Sequence, residues 1–403
     1  MNSHPSMSEL VGDTNLSHWG SINTPIMLID ESIALRLLAR ARDISDQTGV
    51  LLFYSVKPLQ LPQFQNLASG FVDGFAASSY FEAQLIRQTA GKETSVHFTS
   101  PGIRPEEIVR LADLCDYVNF NSLSQLQRFG RAVQGRARYG LRVNPQLSFL
   151  DDKRYNPSRR ASKLGVPLTD LIAVLSNGAK DTLVGVSGLH FHNNTDSTDF
   201  SQLLQTVEHI DLHLGRWLST LDWINLGGGY LFDEGVNLAP FQQAVELLKS
   251  KHELEIFIEP GAALVRDAGF IVSSVVDLFM SDGKQIAVLD TTVNHMPEVF
   301  EYQYEPEVLG HTDDGDHSYI LAGASCLAGD LFGEYSFDEP LKIGSRVVFT
   351  GMGAYTLVKA HMFNGINLPT IYTLTKDGEL VLEKEFTYED FASRNGLEIH
   401  DHA

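Results

Sequence analysis

The chain has 403 residues, 43% of them apolar, and a formal net charge of -21 at neutral pH. That length exceeds what one compact core usually holds and implies two domains. The acidity argues against nucleic acid or an anionic membrane as partner, and no apolar run approaches the ~20 residues needed to span a bilayer.

Residues 1–23 are polar and lack a basic start followed by an apolar core, so they read as an N-terminal tail rather than a signal peptide. Thr24–Asp30 reads as a strand ahead of the first helix, free to pair with a C-terminal domain. Eight β-rich runs then follow: Leu51–Val56, Phe71–Ala76, Ser95–Thr99, Asp116–Phe120, Arg138–Val143, Gly185–Phe191, Leu221–Leu226 and Glu255–Ile258. Between them lie segments with helical spacing, among them Tyr80–Gln88, Pro105–Leu114, Ser122–Val133, Phe200–Leu218 and Pro240–Lys251. Eight alternations imply an α/β fold, a closed parallel (β/α)8 TIM barrel over residues 24–265, rather than an open sheet. From 266 to 403 the pattern changes to strands separated by Gly and Asp turns: Phe270–Val276, Gln285–Leu289, Tyr319–Leu321, Arg346–Phe349 and Thr370–Thr373. This predicts a mostly antiparallel β domain, with Thr312–His317 as an exposed loop.

Barrel enzymes carry their chemistry at the C-terminal ends of the strands, and several notable groups fall there. Lys57 follows the first strand, Arg142 closes the fifth, His192 follows the sixth, Gly227-Gly228-Gly229 the seventh, and Glu259-Pro260-Gly261 the eighth. Taken singly, each has an ordinary reading as a solvated charge, a core histidine or a turn. Together they read as a site. A lysine ending the apolar run Val50–Val56 faces a desolvated mouth, where its pKa falls and its amine becomes a nucleophile. Three glycines let backbone approach a phosphate. A glutamate inside the mouth would keep a pyridine nitrogen protonated. The two cysteines make no disulfide framework, and a reducing cytoplasm is the simpler home. Cys115 reads as core. No metal site is expected.

On these residues the chain resembles the alanine-racemase-like (fold type III) pyridoxal-phosphate decarboxylases, over about Thr24 to Ser393. Ser325-Cys326-Leu327-Ala328-Gly329-Asp330, Gly353-Ala354-Tyr355-Thr356, Phe363-Asn364-Gly365 and Asn225-Leu226-Gly227-Gly228-Gly229-Tyr230 look most like the carboxynorspermidine and carboxyspermidine decarboxylase branch. So do Tyr155-Asn156-Pro157 and Ser162-Lys163-Leu164-Gly165. The resemblance implies pyridoxal phosphate held by Lys57, stacked on His192, with Glu259 at the ring nitrogen. It places the phosphate at Gly227, Gly228, Gly229 and Tyr355, with Arg142 also binding the cofactor. It further implies a homodimer with shared sites, in which Cys326 enters from the neighbouring subunit and returns the proton, His192 being the second choice. The substrate implied is a carboxylated cationic polyamine, which suits the acidic chain. Its distal ammonium would meet Asp330 first, then Glu298 or Glu301. The same chemistry on carboxyaminopropylagmatine, ornithine, arginine or diaminopimelate is the alternative, and a non-catalytic regulator would have no need of these groups. The chain departs from the family at Ala262, where relatives have an arginine near the phosphate, and at Ala76, where ornithine decarboxylases have an aspartate. It departs again at Asn193-Asn194-Thr195-Asp196, where this branch has Asn-Cys-Glu.

Overall fold

The computed structural model describes residues 22–177 and 182–397, so the expected N-terminal tail lies, up to residue 21, outside the described residues. The chain divides into two compact units: Leu35–Leu264, and the segments on either side of it. Among the described residues no helix is long and apolar enough to cross a membrane.

The first strand, β1 (Ile26–Asp30), precedes the contiguous unit. That unit supplies β2 (Leu51–Ser55), β3 (Gly74–Ala77), β4 (Ser95–Ser100), β5 (Tyr117–Phe120), β6 (Arg138–Asn144), β7 (Val166–Pro167), β8 (Val186–His190), β9 (Trp223–Asn225) and β10 (Glu255–Ile258). Leaving aside the short β7, which pairs with the end of β6, the other eight pair in parallel in the order of the chain. Phe257 of β10 lies opposite Leu51 of β2, and this pairing closes the barrel. All eight expected strands are present.

The barrel interior is filled by matching large side chains to missing ones. Phe53, Trp223 and Phe257 form its buried aromatic centre. Gly188 faces Trp223 so closely that a Cβ would lie 2.0 Å from the indole, and a Cβ on Gly140 would lie 2.6 Å from it. A Cβ on Gly74 would likewise meet the Phe53 ring at 2.6 Å. Interiors are packed to near-crystalline density, so a bulky residue on one strand requires a small one opposite. Outside the barrel, helices present one apolar stripe inward. Leu126, Phe129 and Val133 are buried large apolar side chains of Leu123–Val133, at helical spacing, and Ser122 caps that helix by accepting from the Gln125 N–H at 3.1 Å.

The second unit is a sheet in the order β14-β13-β12-β11-β1-β16-β17, with β15 also on β11. Its strands are β11 (Gly269–Ser281), β12 (Lys284–Leu289), β13 (His317–Ala322), β14 (Leu331–Phe337), β15 (Arg346–Phe349), β16 (Thr370–Leu374) and β17 (Leu380–Lys384). Only β1–β16 and β12–β13 are parallel, so the sheet is mostly antiparallel. Strand β1 is fully buried between β11 and β16, with Ile26 opposite both Val272 and Thr370. The start of the chain, grouped by sequence with the barrel, therefore belongs to this sheet. Strands β14 and β17 escape a reading by apolar runs. The first contains Gly333 and Glu334, and the second is a charged edge ending in Glu383 and Lys384. The segment around Glu298 and Glu301 is a short helix, Pro297–Tyr302, with proline in its first turn.

Gly188→Ala should destabilise the chain by about 1–3 kcal/mol in urea unfolding, because a methyl cannot coexist with Trp223. Gly102→Ala, with no atom within 4 Å of the added carbon, is the control and should unfold at the wild-type midpoint.

Candidate active site

The barrel gathers its polar groups at the C-terminal strand ends. Lys57 lies on the turn after β2, and the Ser55 N–H donates to the Pro260 carbonyl at 3.0 Å. Gly261 packs so near Pro58 that a Cβ would come within 2.6 Å of it. These two contacts set the Lys57 turn beside the Glu259 turn. Sequence reasoning put Lys57 at a desolvated mouth. The side chain in fact keeps solvent-accessible surface, because it sits two residues past the last paired strand residue. Crowding by protein nonetheless lowers its pKa below the ordinary lysine value. The Arg142 guanidinium adds to the shift and Glu259 opposes it. Arg142 ends up buried, its own pKa brought down to about 10 by that burial.

Glu259 is the electrostatic centre. Burial alone would raise its carboxyl, but hydrogen bonding at the mouth, with His190 foremost, reverses this and holds it well below the usual carboxylate range. Its Oε1 accepts from the Asn225 side-chain amide at 2.6 Å, and its Oε2 lies 3.5 Å from His190 Nε2. Asn225 Oδ1 accepts from the Gly227 N–H at 2.8 Å, so the same amide ties the glutamate to the glycine turn. Sequence reasoning missed Asn225, His190 and His97. The signal was present for His190, two residues before His192 and so pointing to the same side of the strand.

His192 is half-buried, and its Nδ1 accepts from the Gly228 N–H at 3.1 Å. Its single proton is therefore on Nε2. Burial, aided by Lys57 and Arg142, lowers its pKa well below the ordinary value, so it is neutral at pH 7. The glycines serve close approach. Gly227 (φ 69°) and Gly229 (φ 86°) are left-handed, and Cβ atoms on Gly228 and Gly229 would lie 2.3 and 2.0 Å from the carbonyl oxygens of Glu259 and Asn194. The N–H groups of Gly227 and Gly228 are already bonded within the protein, so these two glycines supply room rather than donors. The departure Asn193-Asn194 is an anchor. Asn193 Oδ1 accepts from Tyr230 at 3.2 Å, its amide donates to Thr206, and Asn194 donates to Gln202.

The remaining predicted residues lie in the second unit. Asp330 is buried, and its carboxylate accepts from Thr292 Oγ1 and the Val293 N–H, both at 2.8 Å. It also accepts from the Ser325 N–H at 2.9 Å and from the Ser325 hydroxyl. Four donors fill the acceptor sites of a carboxylate. Asp330 thus shapes the loop that bears Cys326, and its assignment to a substrate ammonium is corrected. Cys326 is exposed, its N–H donating to Asn364 Oδ1 at 2.8 Å. Glu298 and Glu301 bracket Lys359 Nζ at 2.9 and 2.7 Å, which raises the lysine pKa. Lys359 also stands over the Tyr355 ring, 5.9 Å from its centroid, and Tyr355 adopts φ 57°. Cys115 is core, its thiol pushed up to about 12 by burial.

The barrel groups suit a flat, anionic, aldehyde-bearing ring. They are an amine of lowered pKa, a buried carboxylate with one lightly used oxygen, a fixed neutral imidazole, a buried guanidinium and a turn that only glycine fits. A family model described as the pyridoxal binding domain of pyridoxal-dependent decarboxylases matches residues 35–266. The chain is 35% identical to the carboxyaminopropylagmatine decarboxylase of Synechocystis sp., over 93% of this chain and 96% of that protein. It is 33% identical to the carboxynorspermidine/carboxyspermidine decarboxylase of Herminiimonas arsenicoxydans, over 92% and 99%. Its fold matches the crystal structure of Campylobacter jejuni carboxynorspermidine decarboxylase complexed with norspermidine, with TM-score 0.84, 29% identity, and 93% and 100% of the two chains covered.

With its lowered pKa, Lys57 should react with an amine-directed reagent at lower pH than the exposed lysines, as read by peptide mass mapping across a pH series. Removing the neighbouring charge with Arg142→Met should shift that labelling curve to higher pH, since the ammonium then loses a repulsion. An unshifted curve would show that Arg142 does not act on Lys57.

Proposed function

The chain belongs to the pyridoxal-dependent decarboxylases, and from that premise we propose that it decarboxylates carboxynorspermidine or carboxyspermidine, giving norspermidine or spermidine. The observation that carries the reading is the lysine of lowered pKa sharing the barrel mouth with an ionised, buried glutamate. A second reading, the same chemistry on carboxyaminopropylagmatine, is favoured by the 35% identity to the Synechocystis protein.

Pyridoxal phosphate, when bound, supplies an electron sink for the pair left behind as carbon dioxide departs. Lys57 Nζ would be the amine that holds its aldehyde carbon. Glu259 Oε2 would accept from the protonated ring nitrogen and keep it protonated. His192 offers its ring face, its plane fixed by the Gly228 N–H. Gly227, Gly228 and Gly229 admit the phosphate to the backbone, with Arg142 and Tyr355 as its side-chain partners in place of the arginine missing at Ala262.

The proton returned to the substrate carbon comes from Cys326 Sγ. His192 is the weaker choice, because a neutral imidazole with one N–H is a poor acid. The chain acts as a homodimer in the reducing cytoplasm, each barrel taking Cys326 from the other chain. Glu298 and Glu301 remain the carboxylates for the distal cation of the substrate. Two of them share one ammonium, Lys359, so one negative charge is left over.

Carbon dioxide release measured across carboxynorspermidine, carboxyspermidine, carboxyaminopropylagmatine, diaminopimelate, ornithine and arginine tests the reading. The carboxylated polyamines should turn over fastest. Preference for the guanidinium substrate would establish the second reading, and no release from any of them by the cofactor-loaded protein would overturn both. Lys57→Ala should lose both the visible absorbance of attached cofactor and turnover. Mixing Lys57→Ala with Cys326→Ala chains should restore part of the activity, and no recovery would rule out sites shared between two chains.

A further inference from the structure

Deep in the barrel, below Glu259, lies a fully buried histidine, His97 of β4, that the roles above leave unused. Its ring is walled by four aromatic side chains, with centroid distances of 4.6 Å to Phe53, 4.2 Å to Tyr117, 4.5 Å to Phe257 and 5.5 Å to Trp223. Its Nδ1 lies 2.7 Å from Asn225 Nδ2, and its Nε2 is buried without a hydrogen-bond partner.

The proton positions follow from the Asn225 amide. Asn225 Oδ1 accepts from the Gly227 N–H, so its NH2 group must face the other way. That NH2 carries two protons and no lone pair. One proton goes to Glu259 Oε1 at 2.6 Å. The other points at His97 Nδ1, which must therefore present a lone pair and be unprotonated there. The 3.4 Å approach of His97 Nδ1 to Glu259 Oε1 is then no ion pair, since no proton lies between them. His97 is a neutral imidazole with its proton on Nε2, among aromatic rings. It acts on Glu259 only through Asn225.

We infer that His97 is a positioning residue for the carboxylate that faces the cofactor ring. Its Nδ1 lone pair fixes the Asn225 amide, and that amide occupies Glu259 Oε1 and leaves Oε2 to the ring nitrogen. Without the Nδ1 acceptor the second amide proton is buried and unsatisfied. Turning the amide over would instead set Oδ1 against the carboxylate and release the Gly227 N–H. Either change loosens the grip of Glu259 on a ring N–H, and the first leaves contacts to the rest of the cofactor alone. The inference rests on Glu259 being the partner of that nitrogen.

The test is equilibrium binding to the full-length chain, freed of cofactor, of pyridoxal phosphate and of its deaza analogue, in which carbon replaces the ring nitrogen. The wild-type chain should prefer pyridoxal phosphate. His97→Phe keeps the volume and removes the acceptor, and should cut that preference by about tenfold with deaza affinity unchanged. His97→Asn keeps an acceptor where Nδ1 stood and should retain the preference. Asn225→Ala, which also frees the Gly227 N–H and so weakens both ligands, should show the same loss of preference if His97→Phe does not fold. An undiminished preference in both His97→Phe and Asn225→Ala, or an equal fall in affinity for both ligands, would overturn the inference. Glu259→Gln separates the two levels. A preference insensitive to that change would overturn the role of Glu259 itself, whereas one that responds to Glu259→Gln and not to His97→Phe would overturn only the role of His97.

Discussion

An ionised carboxylate inside a barrel is the constraint around which the mouth is organised. Taking such a charge out of water is unfavourable by several kcal/mol unless donors replace the lost hydration. At Glu259 the replacement comes from Asn225 at the end of β9 and His190 at the end of β8, with His97 within β4 holding the Asn225 amide in place. The Asn225 amide also holds the Gly227 N–H, so stabilising the charge and shaping the glycine turn are one event. The positive partners at the mouth, Lys57 and Arg142, are kept apart in character by the same field. The Arg142 guanidinium makes Lys57 harder to protonate, while Glu259 favours the cation on both.

The second unit solves a different problem. Its Ser325–Asp330 loop exposes Cys326, and an exposed loop holds a fixed shape only if its backbone polar groups find partners. Asp330 from below and Asn364 from the side supply those partners. A charged residue inside the motif here serves geometry, holding the backbone that presents the exposed thiol.

Much of the architecture was legible in the sequence because barrel strands and their helices are local, periodic signals. Lys57, Arg142, His192, Gly227 and Glu259 were legible as strand-end groups because each lies within two residues of the end of such a strand. The unread parts all depend on pairings between distant segments. Nothing near His97 announces Asn225, which lies 128 residues on. Nothing in Ser-Cys-Leu-Ala-Gly-Asp shows that Thr292 and Val293 will fill the aspartate's oxygens. Nor does the run from Glu298 to Glu301 disclose that Lys359 stands between the two carboxylates. Strands β14 and β17 were missed for a simpler reason: they pair along an edge, β14 breaking its buried aromatics with Gly333 and Glu334 and β17 ending in surface charge.

The burial of β1 between β11 and β16 has a consequence for the order of synthesis. Ile26 leaves the ribosome early, but its neighbours across the sheet, Val272 and Thr370, follow after the whole barrel has been made. The barrel, contiguous from Leu35 to Leu264, can close while the rest is still being translated. Until then Ile26–Asp30, four apolar residues and an aspartate, wait as an unpaired strand. Such a segment is an invitation to pair with another nascent chain. The acidic surplus of the chain, by keeping like molecules apart, therefore matters most before the protein is finished.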